Sequence, residues 1–450
     1  MKKLWEKKTK HHSLAEAYCF GGTAMLDNKL ITYDVLGSIA HAKMLSTIEI
    51  LTQKEFLHLK KHLLEIIDLE KEGKFTVTSQ DEDVHTKIEN YLTEKLGDVG
   101  KKIHTGRSRN DQVLVDLRLY AKEYLFAIST ACNSLTQAFL SFANKYERIP
   151  MPGYTHMQKA MPSSVGLWAG SFAESLVDDL TLLKAAYNLN DQSPLGSGAS
   201  YGISLPIDRD LTAKLLGFAK VQNNTLYCQV SRPKFQLAIM HALAQMMLTL
   251  SRFAQDLLLF TIAEFKFFTV SEDLCTGSSI MPQKKNLDVM EIVRARTHMV
   301  IALEQSIATI AVGLPSGYNA DFGETKEPFM KAIEIVLKTL QIVELTLHSL
   351  TPNVEILKKS CTPELFATHY AYLLVKQGMP FREAYKKVAF SLNDLPNFDI
   401  QKVLKLTNHV GGPGNLQLEK IQKILKRETV WWKKRKENFT KTISRLMGGE

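Results

Sequence analysis

Apolar residues recur three and four positions apart along most of the chain, the spacing that lines one face of an α-helix. Residues 113–146 keep this period without a Gly or Pro, which predicts one long helix. Residues 162–190, 233–268, 286–312 and 328–350 predict four more, with a bend admissible in 233–268. Thr52, Gln53, Lys54 and Glu55 read as a capping box flanked by Leu51 and Phe56 as a hydrophobic staple. That helix is expected to run to Glu72, where Gly73 stops it. No alternating run is bounded by turn residues in the way a sheet requires. Helices of about 25 residues or more cannot bury an apolar circumference against one small partner. The expected fold class is therefore all-α, with a large bundle shared between subunits.

A chain of 450 residues exceeds one ordinary core. Roughly two to four domains are expected from such a length. We place a mostly helical N-terminal domain at 1–108, a central long-helix bundle at 109–358 and a small helical domain at 359–450. Thr362-Pro363 and the turn Gly411-Gly412-Pro413-Gly414 punctuate the last part. The hydrophobic fraction of 45% and charged fraction of 23% are those of an ordinary globular protein. A net charge of +9 suits a positive cleft for an anionic substrate without implying nucleic acid. The Lys-rich N-terminus lacks an apolar segment, so no secretory signal is expected. The longest uncharged run, 235–251, contains Gln236, His241 and Gln245 and is shorter than a membrane span of roughly 20 residues. A helix buried in the bundle fits better. Five dispersed cysteines without CxxC spacing fit reduced thiols and a cytoplasmic protein.

Four polar segments interrupt the helices. His104-Thr105-Gly106-Arg107-Ser108-Arg109-Asn110-Asp111-Gln112 precedes the long helix. Its backbone N–H groups and guanidinium forks could cradle a carboxylate, or Asn110 or Asp111 could simply cap the helix. Gly153-Tyr154-Thr155-His156-Met157-Gln158 offers a histidine able to move protons near neutral pH, though a lone histidine is more often structural. Pro194-Leu195-Gly196-Ser197-Gly198-Ala199 has neither GxGxxG spacing nor a preceding strand, so a tight turn supporting the site is preferred to a dinucleotide site. Thr276 to Asn286, with Ser278, Ser279, Lys284 and Lys285, could close over an anion or be a solvated loop. His58 and His62 lack an acidic companion and read as a solvated face rather than a metal site. Trp431-Trp432 followed by four basic residues reads as packing plus a solvated face rather than an RNA-binding stretch.

Taken together, HTGRSRNDQ at 104–112, GYTHMQKAMP at 153–162, PLGSGA at 194–199 and GSSIMPQKKN at 277–286 resemble argininosuccinate lyases of the fumarase/aspartase superfamily. Asp34 to His41, Glu82-Asp83-Val84-His85, Leu314-Pro315, Tyr318-Asn319 and Pro380 to Ala384 extend the similarity over essentially the whole chain. The SSxMPxKxN loop is common to the superfamily and specifies only fumarate-releasing elimination. HTGRSRNDQ is far more particular.

The resemblance implies a three-domain fold and a homotetramer whose active sites are each built by three subunits. It implies reversible elimination of argininosuccinate to arginine and fumarate in arginine biosynthesis, with no cofactor, metal, nucleic acid or membrane partner. It places Ser278 as the proton-abstracting base and His156 as partner acid/base, with Glu291 raising the histidine's basicity. It places Lys284 and Asn286 on the carboxylate that gains charge, and Ser108, Arg109, Asn110 and Thr155 on the succinyl end. Tyr318, Lys326 and Thr23 complete the substrate contacts it implies. Two departures stand out: Leu287 where the family usually has Pro, and Gly323 where a substrate-binding Gln is usual. With Asn286 as cap, position 287 is expected at the first helical residue, where Pro is favoured but not required. Alternatives are a lyase of the same mechanism for another N-substituted aspartate and a non-catalytic, crystallin-like homologue.

Overall fold

The computed structural model describes residues 12–20, 24–78 and 81–448. In the N-terminal part α1 (Ile31–Thr47), α2 (Gln53–Lys71) and α3 (Val84–Leu96) pack on one another and on the start of the long helix α4 (Arg109–Lys145). The capping box of α2 forms as expected: Thr52 Oγ1 accepts from Glu55 N at 3.2 Å, and Glu55 Oε2 accepts from Thr52 N at 2.7 Å. Gly73, at φ +70, ends it. Ser108 caps α4, accepting from Asn110 N at 3.3 Å.

The bundle continues with α5 (Val165–Asn190), α6 (Arg232–Thr261), α7 (Asp288–Ala311) and α8 (Lys326–Ser349). Their buried Leu, Ile, Phe and Met side chains share one contiguous core with α4. The terminal helix α9 (Leu418–Met447) also joins this core through Ile421, Leu425, Trp432 and Leu446. Two small separate clusters, one around Leu374 and Val388 and one around Phe366 and Val403, lie in the segment between α8 and α9. By length and composition α6 could cross a membrane, but 56% of its most apolar stretch is buried in the bundle, as in a core helix.

Four boundaries differ from the periodicity. The long helix α4 begins at Arg109 rather than 113, so Arg109 to Gln112 form its first turn. The backbone leaves the helix at Ile262, well short of 268, and Phe268 pairs antiparallel with Pro352. Phe268 nevertheless stays buried, its ring centroid 5.0 Å from that of Trp168 and tilted by 30°, so the apolar period outlives the helix. Helix α5 begins at Val165, capped by Ser164, because Gln158–Ser164 is instead a strand, β2, paired with β1 (Pro150–Thr155). Proline and exposed polar residues on both strands hid this ribbon from a period-two reading. Leu287, not Asn286, is the N-cap of α7, and its side chain is buried in the core. Position 287 therefore lies outside the first helical position at which a proline would be favoured.

The helices alternate in direction, which sorts the loops to two ends of the bundle. Arg118, near the start of α4, donates to Asn190 O at 3.0 Å, at the end of α5, and to Ser231 Oγ at 3.3 Å, at the start of α6. Its guanidinium stacks 4.3 Å from the Phe235 ring. A Cβ on Gly317, between α7 and α8, would lie 3.6 Å from Tyr201 Oη, so segment 314–326 belongs to this near end. At the far end, Tyr154 of β1 meets Phe260 and Phe265 at the close of α6, with centroids 6.4 and 5.9 Å away.

Candidate active site

At the near end a cleft of about 910 Å³ opens between Ser108, Arg109 and Asn110 on one wall and Gly198, Ala199 and Ser204 on the other, with Glu89 and His104 at its side. The walls are tied together by the buried Asp111. Its Oδ1 accepts from Ser108 N at 2.9 Å, and its Oδ2 accepts from Gly196 N at 2.9 Å and Gly198 N at 3.0 Å. Glycine is needed in that turn because φ is +83 at Gly196 and +61 at Gly198.

The two arginines are not equivalent. Arg107 turns inward and donates to Ser38 Oγ at 2.9 Å. Arg109 is clamped by Glu82 and lies 3.4 Å from Asp83 Oδ2, which orients it at the cleft rim. Burial, with Arg107 and Arg109 beside it, pushes His104 down to about 4, so it is neutral near pH 7. Lys326 is buried and ion-paired with Asp27, while Tyr318, 40% exposed, lies edge-to-face with Phe322, centroids 6.3 Å apart, at the same end. Thr23 lies outside the described residues.

At the far end His156 and Met157 form the two-residue turn between β1 and β2, where Thr155 faces Gln158. Both have positive φ, +53 and +60, the pattern of a type I′ turn. Such turns favour Asn and Gly, and each non-glycine residue there costs about 1 kcal/mol. Strain of this kind at an exposed histidine points to function more than to stability.

The second far-end element is the loop between β3 (Thr276–Gly277) and β4 (Lys285–Asn286), which pair antiparallel. Ser278 Oγ accepts from Ile280 N at 3.3 Å and Met281 N at 3.1 Å. Two N–H groups aimed at one hydroxyl oxygen would stabilise negative charge developing on it. Lys284 is exposed on this loop, and Glu291 is exposed on the first turn of α7. Asn286 Nδ2 donates to Thr276 Oγ1 at 3.5 Å, and Lys285 is ion-paired with Glu272.

These elements do not form one site within a single chain. Ser108 and His156 flank opposite ends of α4, whose 37 residues make a rod about 55 Å long. Among the described residues, no hydrogen bond or ion pair links the Ser278 loop to the hairpin, or Glu291 to His156. Each end carries part of the set singled out in the sequence: Ser108, Arg109, Asn110, Tyr318 and Lys326 at one, Thr155, His156, Ser278, Lys284, Asn286 and Glu291 at the other.

Sequence reasoning gave no role to a buried charge network behind the cleft. His85 Nδ1 lies 2.5 Å from Asp34 Oδ2 and 3.8 Å from Asp116 Oδ2, with Asp34 on α1, His85 on α3 and Asp116 on α4. Both Asp34 and His85 lay in motifs already singled out. Asp116 was not flagged, because nothing in linear spacing relates residues from three helices.

Residues 15–302 match the family model described as "Lyase". The chain is 44% identical over 391 residues to an argininosuccinate lyase of Thermotoga neapolitana, covering 86% of this chain and 97% of that one. It is 41% identical over 424 residues to one of Phocaeicola vulgatus, covering 94% and 95%. Among solved structures it resembles an EDDS lyase in complex with formate, with TM-score 0.82, 20% identity and 98% and 97% coverage. It also resembles a fumarate lyase:delta crystallin from Brucella melitensis, with TM-score 0.72, 18% identity and 92% and 95% coverage. These likenesses show that the fold is that of the helical fumarate lyases. With identities above 40% spanning nearly the full length of the relatives, and with the motif loops sorted to the two ends of the bundle, the chain belongs to the argininosuccinate lyase family.

Proposed function

We propose that this lyase cleaves argininosuccinate reversibly into arginine and fumarate, as a cytoplasmic homotetramer serving arginine biosynthesis. The observation that carries the reading is the sorting of the motif loops to opposite ends of the bundle, so that Ser108 and His156 flank a 37-residue helix. Leu182, Leu248, Met299 and Leu345 on α5 to α8 stay exposed in one chain, which supports burial against further copies. We read the chain as three units, 1–108, 109–358 and 359–450; the two small separate clusters between α8 and α9 support the last, whose helix α9 packs back on the bundle core.

The reaction is hard because a carboxylate stabilises an adjacent carbanion poorly, so binding must strengthen as the aci-carboxylate dianion forms. In our reading Ser278 removes the proton, helped by the N–H groups of Ile280 and Met281 on its oxygen. His156, assisted by Glu291 of another copy, is the partner acid/base for the departing guanidino nitrogen. Lys284 and Asn286 hold the carboxylate that gains charge. Ser108, Arg109, Asn110, Thr155 and Tyr318 hold the rest of the substrate, and Lys326 acts from its pair with Asp27. Incubating purified protein with argininosuccinate should release arginine and fumarate in equal amounts; no arginine would reject the substrate.

A second reading, the same elimination on another N-substituted aspartate, is favoured by one observation. A Cβ on Gly323 would meet nothing within 4 Å, so the position where a substrate-binding glutamine is usual is open space. Release of fumarate from another adduct, with argininosuccinate inert, would favour it.

A further inference from the structure

Capping α4 explains only half of what Asp111 does. A capping box needs one carboxylate oxygen, and Oδ1 fills that role with Ser108 N. Oδ2 instead accepts from Gly196 N and Gly198 N, 85 and 87 positions further along the chain. Successive N–H groups in a turn of positive φ make a concavity that ordinarily takes an anion. Here a side chain of the opposite wall fills it.

We propose that Asp111 is a positioning residue for substrate: by holding the glycine turn against Ser108–Asn110 it sets the width of the cleft, and so the grip on the carboxylate-bearing end of the substrate. This deepens the function proposed above and rests on it. The charged group facing Asp111 from the preceding loop is Arg107. Arg209, whose stem lies over Gly196, turns its guanidinium to Leu195 O at 3.1 Å and Gln222 O at 2.8 Å. Burial pushes Asp111 up to about 6, against the N–H groups of Ser108, Gly198 and Gly196 and the charge of Arg107. Protonation puts a donor where two N–H groups need an acceptor, so the turn loosens as pH falls through that value.

The test is Asp111→Asn, which keeps the size and the cap acceptor but removes the charge. KM for argininosuccinate should rise about tenfold, the loss of one charge-assisted bond, with kcat changed much less. The kcat/KM of the wild type should decline below pH 6, and that decline should be absent from the variant. Gly198→Ala gives an independent route, since its Cβ would lie 3.0 Å from Ile203 Cγ1 at a φ that disfavours alanine. It should raise KM likewise, and the double variant should be little worse than either single one. A wild-type KM and pH profile in Asp111→Asn, or a lowered Tm with KM unmoved, would reduce Asp111 to a helix cap and overturn the proposal. If Asp111→Asn does not fold, a wild-type KM in Gly198→Ala overturns it. A wild-type protein inert toward argininosuccinate overturns the function instead, so the two failures are distinct.

Discussion

His85 and Asp34 form a buried pair, Nδ1 to Oδ2 at 2.5 Å, that fastens α3 to α1 behind the cleft lined by Ser108, Arg109 and Asn110. Burial alone would lower the imidazole pKa, but Asp34, with Asp83 and Asp116 beyond it, raises it to about 9. The neighbouring Glu82 and Asp83 hold Arg109, so the pair steadies a residue of the cleft rim.

A folded pKa above the ordinary value of 6.5 means that the bound proton stabilises the fold. Its contribution is complete below pH 6.5 and is lost as pH rises toward about 9. The stability gap between wild type and His85→Gln should therefore be largest near pH 6 and shrink toward pH 9. At its largest it should be on the order of a few kcal/mol. Urea denaturation of both proteins across that range is the check; a gap that widens with pH would mean the imidazole is neutral in the fold.

Ser278→Ala should lower kcat by about 10²–10⁴-fold while leaving argininosuccinate bound. Rapid-quench turnover and equilibrium binding would be measured together. An active variant would remove Ser278 as the base.

Lys326→Met should destabilise the protein by about 3–5 kcal/mol, because it leaves Asp27 buried without its countercharge. Tyr318→Phe, at an exposed side chain, should leave stability unchanged and raise KM. Equal stability of the two variants would contradict the assignment of Lys326 to a buried pair.

Gly323→Gln adds a side chain into open space. If argininosuccinate is the substrate, the new amide should lower KM by about five- to tenfold, the worth of one hydrogen bond. An unchanged KM for argininosuccinate, with weakened turnover of another adduct, would point to the second reading.

Much of this was legible in the chain. The five long helices α4 to α8 follow from apolar spacing, because a bundle repeats one short-range rule along its length; the equally long α9 was not delimited. Loops at 104–112, 153–158, 194–199 and 276–286 stood out because Gly, Pro and polar residues break that rule. The β1–β2 ribbon did not, since its prolines and exposed polar residues obscure alternation, and it is the ribbon that fixes the strained turn at His156. Partners such as Asp27 for Lys326, or Glu82 for Arg109, were illegible because tertiary folding alone brings them together. The second role of Asp111 was hidden for the same reason: its cap is local, whereas its glycine partners lie in a distant loop.

Subunit complementation tests the central claim most directly. Ser278→Ala and His156→Asn proteins, each inactive, would be dissociated, mixed and reassembled. If hydroxyl and imidazole come from different copies, some sites in the hybrid hold two wild-type groups and a fraction of wild-type turnover returns. Hybrids that reassemble fully and stay inactive would show that both groups must reside on one chain, contrary to the account given.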